Sequence, residues 1–369
     1  MSKIRVLIVD DAVVIRRLVA DCLSQDPEIE VAGTAANGQI GLAKIAQVNP
    51  DLVTLDVEMP VMDGLQTLAE IRKSHPKLPV VMFSTLTERG AASTLDALAL
   101  GASDYVTKPS NVGSVAVAVQ RIREELIPKI KGLCRQSASP TFSEGILARG
   151  ICQPRGAVPA RVEIVTIGVS TGGPAALSTL LPLLARDLPV PVVLVQHMPP
   201  LFTRLLAERL TSISGHLTRE GEAGALLEPS QVWIAPGGLH MEVQQGGEGV
   251  RLRTHQGPPE NSCRPAVDVL FRSVAHVYGS CSLAVVLTGM GQDGLRGCES
   301  IREAGGQVLV QDESTSVVWG MPGAVSQAGL ADKVLPLREL ADEINRRVKP
   351  GALSVEAFNR PSLTPGPFR

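Results

Sequence analysis

Short β-branched runs recur along this chain, each separated from the next by a stretch with helical spacing. In the first 123 residues the runs are 4–9, 31–34, 51–56, 80–84 and 104–109, and helix-spaced residues follow the first run through Leu23 and fill 38–48. Strands joined through a helix pair in parallel, because the crossover returns the chain to the edge at which it started. The rhythm therefore confines this part to an α/β fold, a parallel sheet with helices on both faces. It resumes in strand signals at 162–167, 191–196, 231–235, 282–287, 307–310 and 333–335, with helical segments at 177–184, 202–210, 265–277, 295–303 and 337–348. Only 240–253 breaks it, alternating around a Gly-rich turn as an antiparallel hairpin does. Two doubly wound α/β domains are predicted, 1–123 and 161–348, the second mostly parallel with one hairpin. From Leu126 to Ala160 the periodicity fades and Pro128, Pro140, Pro154 and Pro159 interrupt any long helix; 122–130 can continue the last helix of the first domain, and 124–160 as a whole reads as a flexible linker. The Pro-rich stretch 349–369 reads as a disordered tail.

In a parallel sheet the strand C-termini share one rim, and ligands bind there. The first domain brings Asp10, Asp11, Asp56, Ser84 and Lys108 to that rim. Three carboxylates repel one another unless a cation joins them, and hard oxygen donors suit Mg²⁺. Lys108 adds a second positive charge, an arrangement suited to phosphoryl transfer, where catalysis is mostly positioning and charge neutralisation.

The second domain brings a different set to its rim. Ser170 follows the first strand, His197 the second, and Asp293 lies in Leu287-Thr-Gly-Met-Gly-Gln-Asp-Gly294 after a later one. A hydroxyl nucleophile needs a base, and the imidazole needs a carboxylate to fix its tautomer. Gly168-Val-Ser-Thr-Gly-Gly-Pro174 has the G-x-S-x-G spacing of a nucleophile elbow. The same segment also fits a phosphate cradle or a helix capped by Ser170 or Thr171. The chain order Ser170, His197, Asp293 departs from the Ser–acid–His order of α/β-hydrolases, since the last histidine, His276, precedes Asp293. His240 is the rival base, and His276 falls within a predicted helix as a surface or core residue.

Charge argues against one class of output. Residues 161–348 carry 15 Lys and Arg against 19 Asp and Glu, whereas DNA readers need a basic face. No signal-peptide pattern and no membrane-length apolar run is present, so a cytoplasmic protein without membrane insertion is expected. Six cysteines (22, 134, 152, 263, 281 and 298) lack C-x-x-C spacing, which argues against a zinc site and suits reduced thiols.

At Asp10-Asp11, Asp56, Ser84 and Lys108, with Met59-Pro60 and Asp63-Gly64 after the third strand, the first domain resembles a response-regulator receiver. At Gly168–Pro174, Gln196-His-Met-Pro199 and Leu287–Gly294 the second resembles the chemotaxis protein-glutamate methylesterases, the CheB family. The stretches 235–241, 264–273 and 320–325 add to that likeness.

The receiver resemblance implies that Asp56 accepts a phosphoryl group. It also implies Mg²⁺ held by Asp10, Asp11, Asp56 and the Glu58 carbonyl, with Ser84 and Lys108 on the phosphoryl oxygens. Tyr105 stands at the aromatic switch position, where packing alone would also explain it. In the second domain the resemblance implies Ser170 as nucleophile, His197 as general base and acid, and Asp293 as orienting carboxylate. The Met290 N–H would be an oxyanion donor, with Thr171 and Arg264 beside the site.

The implied activity is phosphorylation-activated hydrolysis of glutamate methyl esters on the cytoplasmic helices of chemoreceptors, releasing methanol, with deamidation of receptor glutamines and no cofactor for the ester chemistry. The implied partners are methylated chemoreceptors and a chemotaxis sensor histidine kinase. The alternative is a response regulator with a non-catalytic or DNA-binding output domain. Two departures stand out: Ala266 occupies a position that often carries a hydroxyl in this family, and the linker is long.

Overall fold

The strand β1 (Ile4–Val9) is buried apart from Arg5, as a central strand of a parallel sheet must be. The structure is a computed structural model, described over residues 3–108, 115–134 and 161–349. In the first domain β1 is followed by α1 (Val13–Ser24), β2 (Ile29–Ala35), α2 (Gly38–Val48), β3 (Leu52–Asp56), α3 (Gly64–Ser74), β4 (Val80–Ser84), α4 (Glu88–Ala99), β5 (Asp104–Thr107) and α5 (Val115–Cys134). The strands lie in the order β2-β1-β3-β4-β5, all parallel, with β5 at an edge. Local chemistry starts the helices where it should. Asn37 accepts from the Ile40 N–H at the head of α2, Asp63 and Gln66 form a reciprocal capping box on α3, and Thr87 caps α4.

The helix α5 departs from expectation. It runs to Cys134, four residues past the continuation to Ile130 that the sequence allows, into the stretch assigned to the linker. Pro128 sits inside it. The ring removes one helical hydrogen bond, but Glu124, whose carbonyl loses its partner, is solvent-exposed. The apolar stripe of Leu126, Ile127, Ile130 and Leu133 is buried and holds the helix on its neighbours. Tertiary packing thus outweighs the proline. The rest of the linker, 135–160, and nearly all of the tail lie outside the described residues.

The second domain opens with β6 (Ile164–Val169), α6 (Gly173–Leu180), β7 (Val192–Gln196), α7 (Pro200–Ser214), β8 (Leu217–Glu220) and β9 (Gln231–Ile234). The hairpin β10 (His240–Gly246) and β11 (Gly249–His255) comes next. The chain ends with α8 (Val267–Tyr278), β12 (Ser282–Val286), α9 (Leu295–Glu303), β13 (Gln307–Gln311), α10 (Met321–Gln327), β14 (Lys333–Leu335) and α11 (Leu337–Val348). Seven strands form one parallel sheet, β14-β13-β12-β6-β7-β9-β8. The strand order reverses between β6 and β12, the place where a doubly wound sheet opens a crevice. Two elements escape the sequence pattern. β8 is a short edge strand carrying Arg219 and Glu220, and α10 begins Met-Pro-Gly, with Pro322 in the first turn, where the missing N–H costs nothing.

The two domains touch along α4, α6 and α7. The ring of Tyr105 is buried and stacks on Phe202, with centroids 4.6 Å apart and planes 14° from parallel. Such a stack adds about 0.5–1.5 kcal/mol to the area it buries. Around it Arg204 pairs with Glu88 and Arg209 with Asp96. These exposed pairs stabilise by only about 0.2–1 kcal/mol each and mainly set register. At the far end of α5, Val318 and Met290 of the second domain pack into the same apolar cluster as Ile130 and Leu133.

Candidate active site

Ser170 sits one residue past β6, where the chain must turn at once into α6. Gly172 makes the turn with φ 77°, and a Cβ there would meet Val317 at 2.5 Å. The Ser170 N–H donates to the Thr288 carbonyl at 3.0 Å, tying the elbow to the loop after β12. Gly289 in that loop lets it come close, since a Cβ built on it would lie 2.9 Å from Ser170 Cβ.

His197 follows β7, the neighbour of β6, and its Nδ1 lies 3.1 Å from Ser170 Oγ. Its Nε2 lies 2.8 Å from Asp293 Oδ2. Asp293 comes from the loop after β12, on the other side of β6. The rim of three adjacent strands thus delivers hydroxyl, imidazole and carboxylate into one hydrogen-bonded line. With Asp293 accepting from Nε2–H, Nδ1 faces Ser170 as the unprotonated nitrogen.

Asp293 is 2% exposed and fully occupied. Its Oδ2 also accepts from the Val267 N–H at 2.7 Å, and its Oδ1 accepts from Asp268 N–H, Gly294 N–H and Asn261 Nδ2. Burial opposes its charge, but the hydrogen bond from His197 and those from the backbone hold its pKa below the ordinary carboxylate value. Burial also disfavours the imidazolium, but the hydrogen bond to Asp293 and the interaction with Cys263 outweigh it and lift His197 to about 9.

Several further residues support the line from Ser170 to Asp293. Gln196 Nε2 donates to the carbonyls of both Ser170 and His197, at 3.0 and 3.3 Å, and so clamps the two strand ends together. Asp268 is 1% exposed and receives the N–H groups of Gly294 and Gly297. Burial pushes its pKa up. Asn261 bridges it to Asp293. Cys263 Sγ lies 3.6 Å from His197 Nδ1. Gln196 was within reach of sequence inspection, because it immediately precedes His197 on a buried strand where an amide needs partners. Nothing in sequence spacing signalled Asn261, Cys263 or Asp268.

The remaining residues singled out in the sequence fall as follows. His240 is 1% exposed, with Nε2 2.9 Å from the Pro258 carbonyl and Nδ1 accepting from the Ala266 N–H, so both ring nitrogens are spent on backbone. His276 is exposed on α8. Arg264 donates to the Gly257 carbonyl. Among the described residues no hydrogen bond engages the Met290 N–H, which follows Gly289 in the loop beside Ser170. The Thr171 hydroxyl reaches out of the domain, donating to Asp104 Oδ2 of β5 at 2.8 Å. Lys129 Nζ also lies 3.0 Å from that oxygen and donates to the Tyr105 carbonyl at 2.7 Å. The residue next to Ser170 is thereby joined to the strand that carries Tyr105.

On the rim of the first domain, Asp10, Asp11 and Asp56 present carboxylate oxygens within 4.8 Å of one another. Lys108 Nζ lies 2.6 Å from Asp56 Oδ2 and 3.0 Å from Asp10 Oδ2. Those two oxygens are buried and, among the described residues, have no donor but this ammonium. Burial pushes Asp56 up to about 6 in spite of Lys108. Burial also works against the Lys108 ammonium, but Asp56 and Asp10 more than compensate and raise its pKa. A hard divalent cation fits this donor set, which is all oxygen and short of positive charge. The Glu58 N–H donates to Asp56 Oδ1 at 3.3 Å, keeping its loop at the rim. Ser84 is fully buried and turns toward α4, donating to the Gly90 carbonyl and accepting from Thr94 Oγ1 at 2.6 Å. It makes no hydrogen bond to Asp56, so contact with a phosphoryl oxygen requires the hydroxyl to swing.

A sequence model of the CheB methylesterase family matches residues 165–344, and one of the response regulator receiver domain matches residues 6–120. A protein-glutamate methylesterase/protein-glutamine glutaminase of Trichodesmium erythraeum is 55% identical over 94% of this chain and its own full length. A protein of the same name from Nocardioides is 54% identical over 99% of both. The crystal structure of the Thermotoga maritima CheB methylesterase catalytic domain is similar at 41% identity, covering 51% of this chain and 99% of that one, with a TM-score of 0.49. With identity of this degree over nearly the full length of both chains, the chain belongs to the protein-glutamate methylesterase/protein-glutamine glutaminase family.

Proposed function

We propose that this chain hydrolyses glutamate γ-methyl esters on cytoplasmic chemoreceptor helices, deamidates glutamines there by the same acyl chemistry, and is switched on by phosphorylation of Asp56. The observation that carries this reading is the line from Ser170 Oγ to His197 Nδ1 to Asp293 Oδ2, at 3.1 and 2.8 Å. In the proposed mechanism His197 Nδ1 takes the Ser170 proton as Oγ attacks the ester carbonyl. Asp293 stabilises the imidazolium that forms. The Met290 N–H, which follows Gly289 and makes no hydrogen bond among the described residues, would serve the oxyanion. His197 then protonates the departing methanol, or ammonia from a glutamine. A water activated by the same nitrogen releases the glutamate.

Asp10, Asp11, Asp56 and the Glu58 carbonyl would hold Mg²⁺, which when bound neutralises charge on the transferred phosphoryl group. Asp56 provides the accepting oxygen, and Lys108 follows the new charge. The phosphodonor is a sensor histidine kinase of the same pathway, and the protein works in the cytoplasm, where both partners present these groups. The domains in this reading are the receiver, 1–123, and the esterase, 161–348. The receiver lies over the elbow, gripping Thr171 through Asp104 and stacking Tyr105 on Phe202. Loosening that grip opens the site.

Coupling of this kind is worth about 1–3 kcal/mol, or about 5–150-fold in activity. Methanol release from methylated receptor should therefore rise by about 5–150-fold on adding a small phosphodonor with Mg²⁺. Asp56→Asn should show no rise, because an amide is a poor phosphoryl acceptor. A rise of equal size in Asp56→Asn would move the acceptor elsewhere, and no methanol from either protein would overturn the esterase reading.

The raised pKa of His197 yields a second expectation. The base works only when neutral, so kcat/KM should climb with pH through the neutral range and level off near the value of about 9. Stability runs the opposite way. A histidine whose folded pKa is raised stabilises fully below its unfolded value of about 6.5 and loses that contribution as pH rises through its folded value. The Tm difference between the parent protein and His197→Gln should accordingly shrink from pH 6.5 to pH 9. A pH-independent difference, with a flat rate profile, would mean that His197 is not the titrating base.

A further inference from the structure

We propose that His197, Cys263 and Ser170 form an inhibitory site for a borderline-soft divalent ion of the Zn²⁺ class. The spacing of the cysteines along the sequence argued against zinc, but these ligands meet only on folding, from three separate loops. Cys263 Sγ and His197 Nδ1 are 3.6 Å apart, and His197 Nδ1 and Ser170 Oγ are 3.1 Å apart. A tetrahedral zinc ion, with sulfur at about 2.3 Å and nitrogen or oxygen at about 2.0–2.1 Å, holds S and N about 3.6 Å apart and N and O about 3.3 Å apart. The two edges that meet at His197 Nδ1 need almost no rearrangement to take the ion.

The surroundings are those of a metal site. His197 donates its other ring N–H to Asp293, the carboxylate–histidine arrangement that orients metal-bound imidazoles. Cys263 is held in place by a tight turn. Glu260 and Cys263 exchange both backbone hydrogen bonds, at 3.0 and 2.8 Å, across Asn261 and Ser262, whose φ values are 51° and 62°. Two consecutive left-handed residues define a type I′ turn. Asn261 anchors that turn to Asp293 itself, and the Glu260 carboxylate pairs with both terminal nitrogens of Arg272. The three ligand residues are half-buried, so an ion can reach them.

Binding would release the Cys263 thiol proton to solvent and form the Zn–S bond. The His197 lone pair that serves as base would be consumed, and Ser170 Oγ would be tied to the metal, with a water in the fourth position. The ion would thereby silence the ester chemistry reversibly. Soft thiolate and imidazole ligands distinguish this site from the all-oxygen cluster of Asp10, Asp11 and Asp56, which favours hard ions.

The test uses the full chain with excess Mg²⁺ to satisfy the receiver, and Co²⁺ as a spectroscopic probe. The expected result is a thiolate-to-cobalt charge-transfer band with the strong visible bands of four-coordinate Co²⁺, both displaced by Zn²⁺. Asp56→Asn should keep the spectrum. Cys263→Ala and Cys263→Ser, each checked for folding by circular dichroism, should lose the thiolate band. In methanol release, Zn²⁺ should inhibit the parent protein and a chelator should restore it. Each variant, measured against its own uninhibited rate, should need more Zn²⁺ by at least the about 10–100-fold that loss of an outer-shell partner costs. Absence of the thiolate band, or its survival in both cysteine variants, overturns the site. The spectrum does not depend on the esterase reading on which the inhibition assay rests, so a cobalt spectrum from a chain that releases no methanol would refute that reading and leave the metal site standing.

Discussion

Ser170→Ala is expected to lower methanol release by on the order of 10⁴–10⁶-fold, with almost no loss of folding stability. The Ser170 side chain is half-buried, and among the described residues its one hydrogen bond is to His197 at 3.1 Å. A single such bond contributes about 0.5–1.5 kcal/mol net, so the fold should survive. His197→Gln should cost nearly as much, and the double variant no more than either alone, because nucleophile and base act as one unit. His240→Gln should leave most of the rate, since its nitrogens are spent on Pro258 and Ala266. Retention of activity within about tenfold of the parent protein would remove Ser170 from the mechanism.

Asp293→Asn is expected to cost about 10⁴-fold in rate through the tautomer of its neighbour, and to destabilise as well. An amide presents an NH₂ where one carboxylate oxygen stood. If that NH₂ faces His197, the ring must accept at Nε2 and carry its proton on Nδ1, which then points a hydrogen at Ser170 and cannot act as base. If the amide flips, the NH₂ meets the N–H groups of Asp268 and Gly294 and the Asn261 amide. Either way, buried donors lose an acceptor, at about 1–3 kcal/mol each. The rate loss separates from the stability loss in two measurements. Single-turnover methanol release at a temperature where circular dichroism shows full folding isolates the chemical step. The pH profile supplies the second, since without the carboxylate the limb assigned to His197 should move to lower pH. An unchanged limb together with a near-normal rate would show that Asp293 is only a structural acceptor.

What the sequence made legible was whatever repeats locally. The strands ending in Asp56 and Ser84, and the helix 38–48, follow from apolar periodicity and caps, and the structure places them within a residue or two. The members of the Ser170–His197–Asp293 line were legible because each stands at a strand end, where a parallel sheet must expose it. What stayed hidden depends on partners distant in sequence. The Thr171–Asp104 bond joins residues 67 apart in different domains. Pro128 leaves the end of α5 open in the sequence, because its apolar neighbours reveal their burial only once packed. Cys263 was judged by cysteine spacing, whereas its significance comes from a turn that aims it at His197. The Ser84 rotamer depends on the Gly90 carbonyl and Thr94, which no local pattern announces.

The position of β5 has a mechanical consequence. Asp104, at one end of it, holds the residue beside Ser170, and Lys108, just past the other end, holds Asp56. Sensor and latch are thus four residues apart on one extended segment, roughly 13 Å at strand rise. That segment is the margin of its sheet, bonded along one side only, to β4. A pull at Lys108 can shift such a strand by breaking a single ladder, while a central strand would resist from both sides. In the proposed switching the signal would cross the molecule along this strand rather than through a diffuse repacking. A receiver grafted onto this esterase from another regulator should transmit only if its last strand begins with an acid in reach of Thr171.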